Sequence, residues 1–354
     1  MKTKVLALSL VLVLMASTLI GCSSGSNEAP ASEAPEQSVV SEETSSVEPG
    51  DAIVVKLAYM SPELENDPYH QFAVRFKEAI EEKTDGKYVF ETYGGGVLGK
   101  DRELSEGLQY GTVDMAVITS SPMGNFVPAF QALDLPFLFS GWDHVHKFLE
   151  SDLAEELYAE SEEAGIISLG LIGRGARSVT NAGDPIQSVE DLKGMKIRVI
   201  ESSIFVDTFS ALGASPQAMS WGEVFTALQQ GTIDGHENSM ATINNERVYE
   251  VQDNVTKTEH IFAFTTAHAS SNFWDSLPTE DQELFKEVAE EITIQITKEQ
   301  EQEEQNFIKL LEEQGMNFYD INRDELKDLV NPVYEKFAGQ NSDYFYKAIE
   351  ALNN

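Results

Sequence analysis

Residues 103–114 read ELSEGLQYGTVD, and residues 223–234 read EVFTALQQGTID. Glu103, Leu108, Gln109, Gly111, Thr112 and Asp114 return as Glu223, Leu228, Gln229, Gly231, Thr232 and Asp234, each 120 positions later. Each copy has the apolar spacing of a helix, a glycine that stops it, and a turn into a strand. A helix–turn–strand unit repeated at fixed offset predicts two similar α/β domains in one chain. Two such lobes side by side leave a cleft, a preferred place for a small ligand.

The rest of the chain alternates in the same way. Strands are expected at 53–59, 88–92, 113–118, 167–172 and 195–200, and helices at 69–83, 101–110, 143–163, 203–212 and 222–230. Alternation of this kind points to the α/β class. One segment departs from it. Between Pro278 and Gly315 the chain has the start and stop of a single helix over 279–314. At 1.5 Å per residue it is roughly 50 Å long, more than one small domain is wide. Its apolar positions keep no heptads, so we expect one helix crossing both lobes rather than a coiled coil.

The amino terminus speaks to location. Lys2 and Lys4 precede VLALSLVLVLM, a run shorter than the ~20 apolar residues that span a bilayer. It closes on Leu19-Ile20-Gly21-Cys22, which resembles the lipobox of bacterial lipoproteins. The expectation is a signal peptide over 1–21 and a lipidated Cys22 as first residue after cleavage. Cys22 is the only cysteine of the chain, which removes disulfides, Cys-ligated zinc and a cysteine nucleophile from the body. Residues 23–50 lack aromatics and are rich in Ser, Glu, Pro and Ala, the composition of a flexible tether. The body begins near Asp51. The net charge of the whole chain, −36, argues against nucleic acid or anionic lipid as a partner.

Motifs for catalysis are missing. Residues 94–100 imitate a phosphate loop, GGGVLGK, but Asp101 follows where a Ser or Thr would hold Mg²⁺, so this reads as a plain loop. His144 and His146 stand two apart, a spacing that separates them on a helix. HEN at 236–238 offers two ligands but no H-E-x-x-H, and from Asp51 onward neither G-x-S-x-G nor S-x-x-K occurs. No metal, no cofactor and no catalytic residue are expected.

What remains is arginine. The chain has seven, and Arg174, Arg177 and Arg198 fall within 25 residues. Arg198 lies in KGMKIRV, where Met195, Ile197 and Val199 alternate with Lys196 and Arg198. It stands near the end of a strand, before a helix, where α/β sheets bind ligands. Arg174 and Arg177 follow another strand in GRGARSVTN. Arginine is a planar, charged fork that grips carboxylates in bidentate fashion. The competing expectation is that these arginines neutralise nearby acidic side chains.

Three stretches carry a family resemblance: 175–199 (GARSVTNAGDPIQSVEDLKGMKIRV), 211–238 (ALGASPQAMSWGEVFTALQQGTIDGHEN) and 249–260 (YEVQDNVTKTEH). With 94–117 upstream, they resemble the DctP-type solute-binding proteins of TRAP transporters. The resemblance implies a two-lobed, periplasmic-binding-protein-like fold with a hinge and a long helix spanning both lobes. Lobe I is then 51–174 plus 264–303, and lobe II 175–263 plus 304–354. It implies that Arg198 makes the main salt bridge to a ligand carboxylate, with Arg177 a second contact to the anion or to its surroundings, Asn238 a hydrogen-bonding residue and Trp221 a stacking one. Met60, Thr119 and Ser120 are expected at strand ends of lobe I. Two departures stand out: His236 replaces the usual glutamine of D-G-Q-E-N, and Arg174 occupies a position often uncharged. If Arg174 faces the cleft, the ligand has two acidic groups or several hydroxyls.

The function so implied is an extracytoplasmic receptor, not an enzyme. It captures an organic acid and hands it to an ion-gradient-driven TRAP permease, from the periplasm or the outer cell surface, on a lipid anchor. The rivals are a ligand-sensing subunit for a membrane signalling protein, a binding protein for an ATP-driven importer, and a lipid-anchored hydrolase.

Overall fold

The computed structural model describes residues 52–340 and 344–352. The expected leader, Cys22 and tether lie outside the described residues. Strands are β1 (Ile53–Tyr59), β2 (Tyr88–Tyr93), β3 (Met115–Thr119), β4 (Ile166–Ala176), β5 (Ser178–Asn181), β6 (Lys196–Val199), β7 (Ser215–Ala218), β8 (Gly235–Asn238), β9 (Asn254–Thr256), β10 (Phe262–Ser270) and β11 (Asn317–Tyr319). They form two mixed sheets, ordered β2-β1-β3-β10-β4 and β11-β9-β5-β8-β6-β7. In the first, β1 runs parallel to β2 and β3 while β10 is antiparallel to its neighbours. In the second, β6 runs parallel to β7 and β8.

The repeated unit occupies equivalent places in the two sheets. Helix Asp101–Tyr110 leads into β3, and helix Trp221–Gln229 leads into β8. Gly111 and Gly231 turn the chain at φ of 68° and 66°, a backbone that only glycine adopts freely. The two aspartates then do the same work. Asp114 Oδ2 accepts from the Lys56 N–H at 2.8 Å, and Asp234 Oδ2 accepts from the Lys196 N–H at 2.7 Å. Each thereby fastens its unit to the neighbouring parallel strand.

Among the described residues, three stretches up to Glu313 run between the sheets. β4 hands over to β5 at Arg177, and the segment returning from β9 to β10 runs beside it. There Arg177 N–H donates to the Ile261 carbonyl (2.8 Å) and His260 N–H to the Arg177 carbonyl (3.2 Å). The third passage is the helix Thr279–Glu313, 35 residues long. Phe285, Val288, Ile292 and Ile296 pack under the first sheet, and Phe307 and Leu311 under the second. A further apolar cluster joins both halves, with Leu104, Ile118 and Phe130 meeting Val199, Phe205 and Phe209. The carboxy-terminal helices touch both sides: Asn331–Gln340 packs on Ser203–Ala211, and Tyr344–Ala351 on Pro128–Asp134 and Asp152–Glu162.

Two features differ from expectation. The helix over 143–163 is two helices, Trp142–Leu149 and Asp152–Glu162. Ser151 is extended between them, and its hydroxyl donates back to the Phe148 carbonyl at 2.7 Å, a local bond that competes with the helical one. The strand β10 was not foreseen. All nine residues of FAFTTAHAS are buried, because β10 sits between β3 and β4 with both faces covered. Two of its polar side chains find partners inside: Thr265 donates to the Ile118 carbonyl at 2.6 Å, and His268 Nδ1 lies 3.0 Å from Ser168 Oγ, whereas Thr266 Oγ1, His268 Nε2 and Ser270 Oγ are buried without one among the described residues.

Candidate functional site

A cavity of about 670 Å³, mouth included, lies between the sheets at the carboxy-terminal ends of β1, β3, β6 and β8. Met60, Thr119, Arg174, Arg177, Arg198, Trp221 and Asn238 all line it. These residues come from both halves and are scattered over 179 positions of sequence, 60 to 238. Ser120 is not at the wall: it is buried, with its hydroxyl donating to the Phe264 carbonyl at 3.1 Å.

The three arginines differ in what they already hold. Arg198 is 3% exposed, on a strand whose Ile197 and Val199 anchor the core face. Its Nε and Nη2 donate to the Met219 carbonyl at 2.9 and 2.6 Å, and its guanidinium lies 5.4 Å from the Trp221 ring centre. Among the described residues Nη1 has no acceptor and no carboxylate forms an ion pair with this side chain. Burial pulls its pKa down to about 10, with Glu237 opposing and Arg177 reinforcing. The result is a buried cation without a direct counter-ion.

Arg177 is fully engaged. Nε donates to Glu237 Oε2 at 2.5 Å, Nη2 to Glu237 Oε1 at 2.9 Å and to the Glu237 carbonyl at 2.7 Å, and Nη1 to Asn238 Oδ1 at 2.9 Å. Burial alone would raise the Glu237 carboxyl, but Arg177 and His260 outweigh it and hold it down at about 2. Arg177 thus orients Asn238, whose Oδ1 also accepts from the Ser239 N–H at 3.0 Å, leaving the amide nitrogen without a protein partner.

Arg174 faces the cleft. Nη1 donates to Tyr69 Oη at 2.7 Å, Nη2 bonds Thr242 Oγ1, and the guanidinium lies 4.8 Å from the Tyr69 ring centre. Its Nε is buried with no partner. Tyr69 Oη also meets Thr119 Oγ1 at 2.8 Å, so a hydrogen-bonded chain Thr119–Tyr69–Arg174–Thr242 crosses between the two sheets.

Sequence reasoning missed Tyr69, Asp101, Ser220, Thr242 and Glu246 at the wall. Asp101 was within reach: the 120-residue offset carries Trp221 back onto it, 221 − 120 = 101. Burial raises the Asp101 carboxyl, against Thr119, Arg174 and Arg198. Burial also raises Glu246, against the Trp221 indole and Arg174. Tyr69, Thr242 and Glu246 belong to helices or their ends and had no such signal.

The remaining motifs are structural. His236 lies beneath Trp221, ring centres 5.8 Å apart, with Nδ1 2.6 Å from Thr180 Oγ1; burial pushes its pKa down to about 3. His144 Nε2 meets the Ile349 carbonyl at 2.7 Å and His146 Nε2 meets Glu301 at 2.7 Å, so the two rings face different partners. Among the described residues no cluster of His, Cys, Asp and Glu could hold a metal. The loop 94–100 leads into the helix at Asp101, as its residues indicated.

Comparison with known proteins places this arrangement. Residues 61–341 match the family described as bacterial extracellular solute-binding protein, family 7 (DctP). The C4-dicarboxylate-binding periplasmic protein DctP of Vibrio cholerae is 31% identical over 293 residues, covering 82% of this chain and 87% of that protein. A solute-binding protein of Roseobacter denitrificans is 34% identical over 273 residues, covering 76% and 82%. Among solved structures, a TRAP periplasmic solute binding protein from Bradyrhizobium in complex with galacturonate superposes with a TM-score of 0.81 at 33% identity, covering 84% of this chain and 100% of that one. One from Shewanella oneidensis with bound succinate gives 0.81 at 28%, covering 86% and 100%. The family match spans most of the chain and relatives above 30% identity support it: this chain belongs to the DctP family of bacterial extracellular solute-binding proteins.

Proposed function

We propose that this chain is an extracytoplasmic receptor that captures an organic acid between two lobes and delivers it to an ion-gradient-driven TRAP permease. The observation that carries this reading is Arg198, a buried guanidinium at the cavity wall that, among the described residues, forms no ion pair and leaves Nη1 without an acceptor. A buried charge lacking its counter-ion is completed by an arriving carboxylate, and arginine is built to take one. The relatives' recorded ligands, succinate and galacturonate among them, share that group.

In this reading lobe I is 51–174 plus 264–303 and lobe II is 175–263 plus 304–354. They close about the crossings near Arg177 and His260 by hinge motion, while the long helix follows. Arg198 binds the carboxylate. Arg177, committed to Glu237, holds Asn238 toward the ligand. Trp221 covers one side, Arg174 adds a second cation, and Met60 and Thr119 complete the first-lobe wall. No bond in the ligand changes, no cofactor takes part, and the closed form is what the permease recognises. Residues 1–21 are removed, Cys22 is lipidated, and 22–50 tether the receptor to its membrane.

Thermal unfolding against monocarboxylates, dicarboxylates, sugar acids, amino acids and neutral sugars tests the proposal, with Arg198→Ala alongside. A ligand at a hundredfold its Kd stabilises by about 2.7 kcal/mol. A shift from carboxylates that the variant loses is expected. A shift from neutral sugars alone, or equal binding by the variant, refutes it. Loss of membrane association in Cys22→Ala checks the anchor.

A further inference from the structure

The cavity contains opposite charges that do not touch. Arg174 and Arg198 line it, and so do Asp101 and Glu246, yet among the described residues none of these four forms an ion pair. The arginines donate instead to neutral groups, Tyr69, Thr242 and the Met219 carbonyl. Asp101 receives only the Thr119 N–H, at 3.5 Å, and Thr119's side chain, while Glu246 receives the Trp221 indole. They remain within electrostatic range: Arg174 and Arg198 both act on Asp101, and Arg174 acts on Glu246. Opposed charges held apart across a closed space leave room for something that bonds both. The unpartnered Arg174 Nε, on a side chain 7% exposed, is a second sign that the wall is incomplete without a ligand.

We propose that Asp101 and Glu246 select a monocarboxylate bearing several hydroxyl groups over a dicarboxylate; this rests on the receptor reading above and narrows it. One end of the ligand must be an anion, for Arg198. The other must donate hydrogen bonds, since a carboxylate only accepts and a hydroxyl beside it makes a charge-assisted bond. A second ligand carboxylate would face Asp101 and Glu246 in a desolvated space, where like charges disfavour one another. Arg174 stands within electrostatic range of three carboxyl groups, Asp67, Asp101 and Glu246, so a second ligand carboxylate would compete with them for one cation. Of the two outcomes left open for Arg174 by the sequence, a second acid or several hydroxyls, the geometry favours hydroxyls. Asp101 and Trp221 also stand at matching positions of the internal repeat, so the two lobes present different chemistry from one equivalent place.

Isothermal titration of the purified protein with D-gluconate, D-galacturonate, succinate and butyrate tests this, repeated on Asp101→Asn and Glu246→Gln. A hydroxylated monocarboxylate is expected to bind at least about tenfold more tightly than succinate or butyrate, the difference one charge-assisted bond makes. The variants should narrow that ratio, weakening the hydroxy acid while leaving succinate unchanged or tighter. Succinate or butyrate binding as tightly as the hydroxy acids, or a ratio that neither variant moves, overturns the selection and leaves the receptor standing. If none of the four acids binds, this inference fails, and the wider carboxylate panel above decides the receptor reading separately. Should a variant not fold, the ranking of ligands by the parent protein still decides the matter.

Discussion

The Arg177 guanidinium and the Glu237 carboxylate meet in two parallel hydrogen bonds, Nε to Oε2 at 2.5 Å and Nη2 to Oε1 at 2.9 Å, with the Glu237 side chain wholly buried. They lie where the chain crosses between the sheets, and His260 from the returning crossing adds a third contact to the same carboxylate at 3.2 Å. A buried pair of this kind contributes little over a well-packed apolar pair, but losing one partner strands the other's charge. Glu237→Gln is therefore expected to destabilise by about 3–5 kcal/mol. The double variant Arg177→Met, Glu237→Leu should lose less than either single change. Urea unfolding of the three proteins checks both statements.

Arg198 is the reverse case. Among the described residues its desolvated charge has no ion-pair partner, and under the proposed function a ligand carboxylate supplies one. Arg198→Met should be no less stable than the parent without ligand, yet lose carboxylate affinity by about 2–5 kcal/mol. Melting temperature without ligand and titration calorimetry with it separate the two effects. A large drop in the unliganded melting temperature would mean that the Met219 carbonyl, not a ligand, is this side chain's purpose.

Gly235 begins β8, and a Cβ placed there would stand 2.2 Å from the Thr180 carbonyl oxygen of β5. Backbone cannot yield as a side-chain tip can. Gly235→Ala is expected to destabilise by about 2–3 kcal/mol through overpacking, and to weaken binding by displacing His236 through Asn238. Denaturation midpoints and a ligand titration test the pair of effects.

His236 makes stability depend on pH. Burial pushes its folded pKa down from 6.5 to about 3, so below the unfolded value the unfolded chain binds a proton that the native one refuses. Its contribution is present above 6.5 and is lost as pH falls toward 3. Asp134 works oppositely: burial pushes it up from 3.8 to about 7, so its contribution is present at low pH and lost as pH rises through about 7. His236→Gln removes only the first of these. From neutral pH down to about 5, the variant should lose about 2 kcal/mol less stability than the parent. Denaturation at the two pH values, run side by side, gives the comparison.

The lobes and their repeat were legible because local rules carry them. Gly111 and Gly231 stop helices wherever they occur, and Asp114 and Asp234 tie down the strand beside them through bonds set by the repeat itself. The 35-residue helix declared its ends by Pro278 and Gly315. β10 escaped notice because its buried Thr, His and Ser look like an exposed pattern until β3 and β4 cover both faces. Ser151 split a predicted helix by one side-chain bond that periodicity does not register.

For the site, the sequence by itself determined that three arginines stand at strand ends in a chain poor in arginine, with Trp221 and Asn238 nearby. It could not say which of those arginines was free. Only the tertiary structure decided that Arg177 belongs to Glu237, that Arg174 leans on Tyr69 and Thr242, and that Arg198 forms no ion pair among the described residues. The reason is physical: a guanidinium's role depends on which acceptors lie within hydrogen-bonding distance, and most of those here come from the other lobe or from 20 or more positions away. Local sequence fixes where a strand ends, while long-range packing decides what waits opposite it.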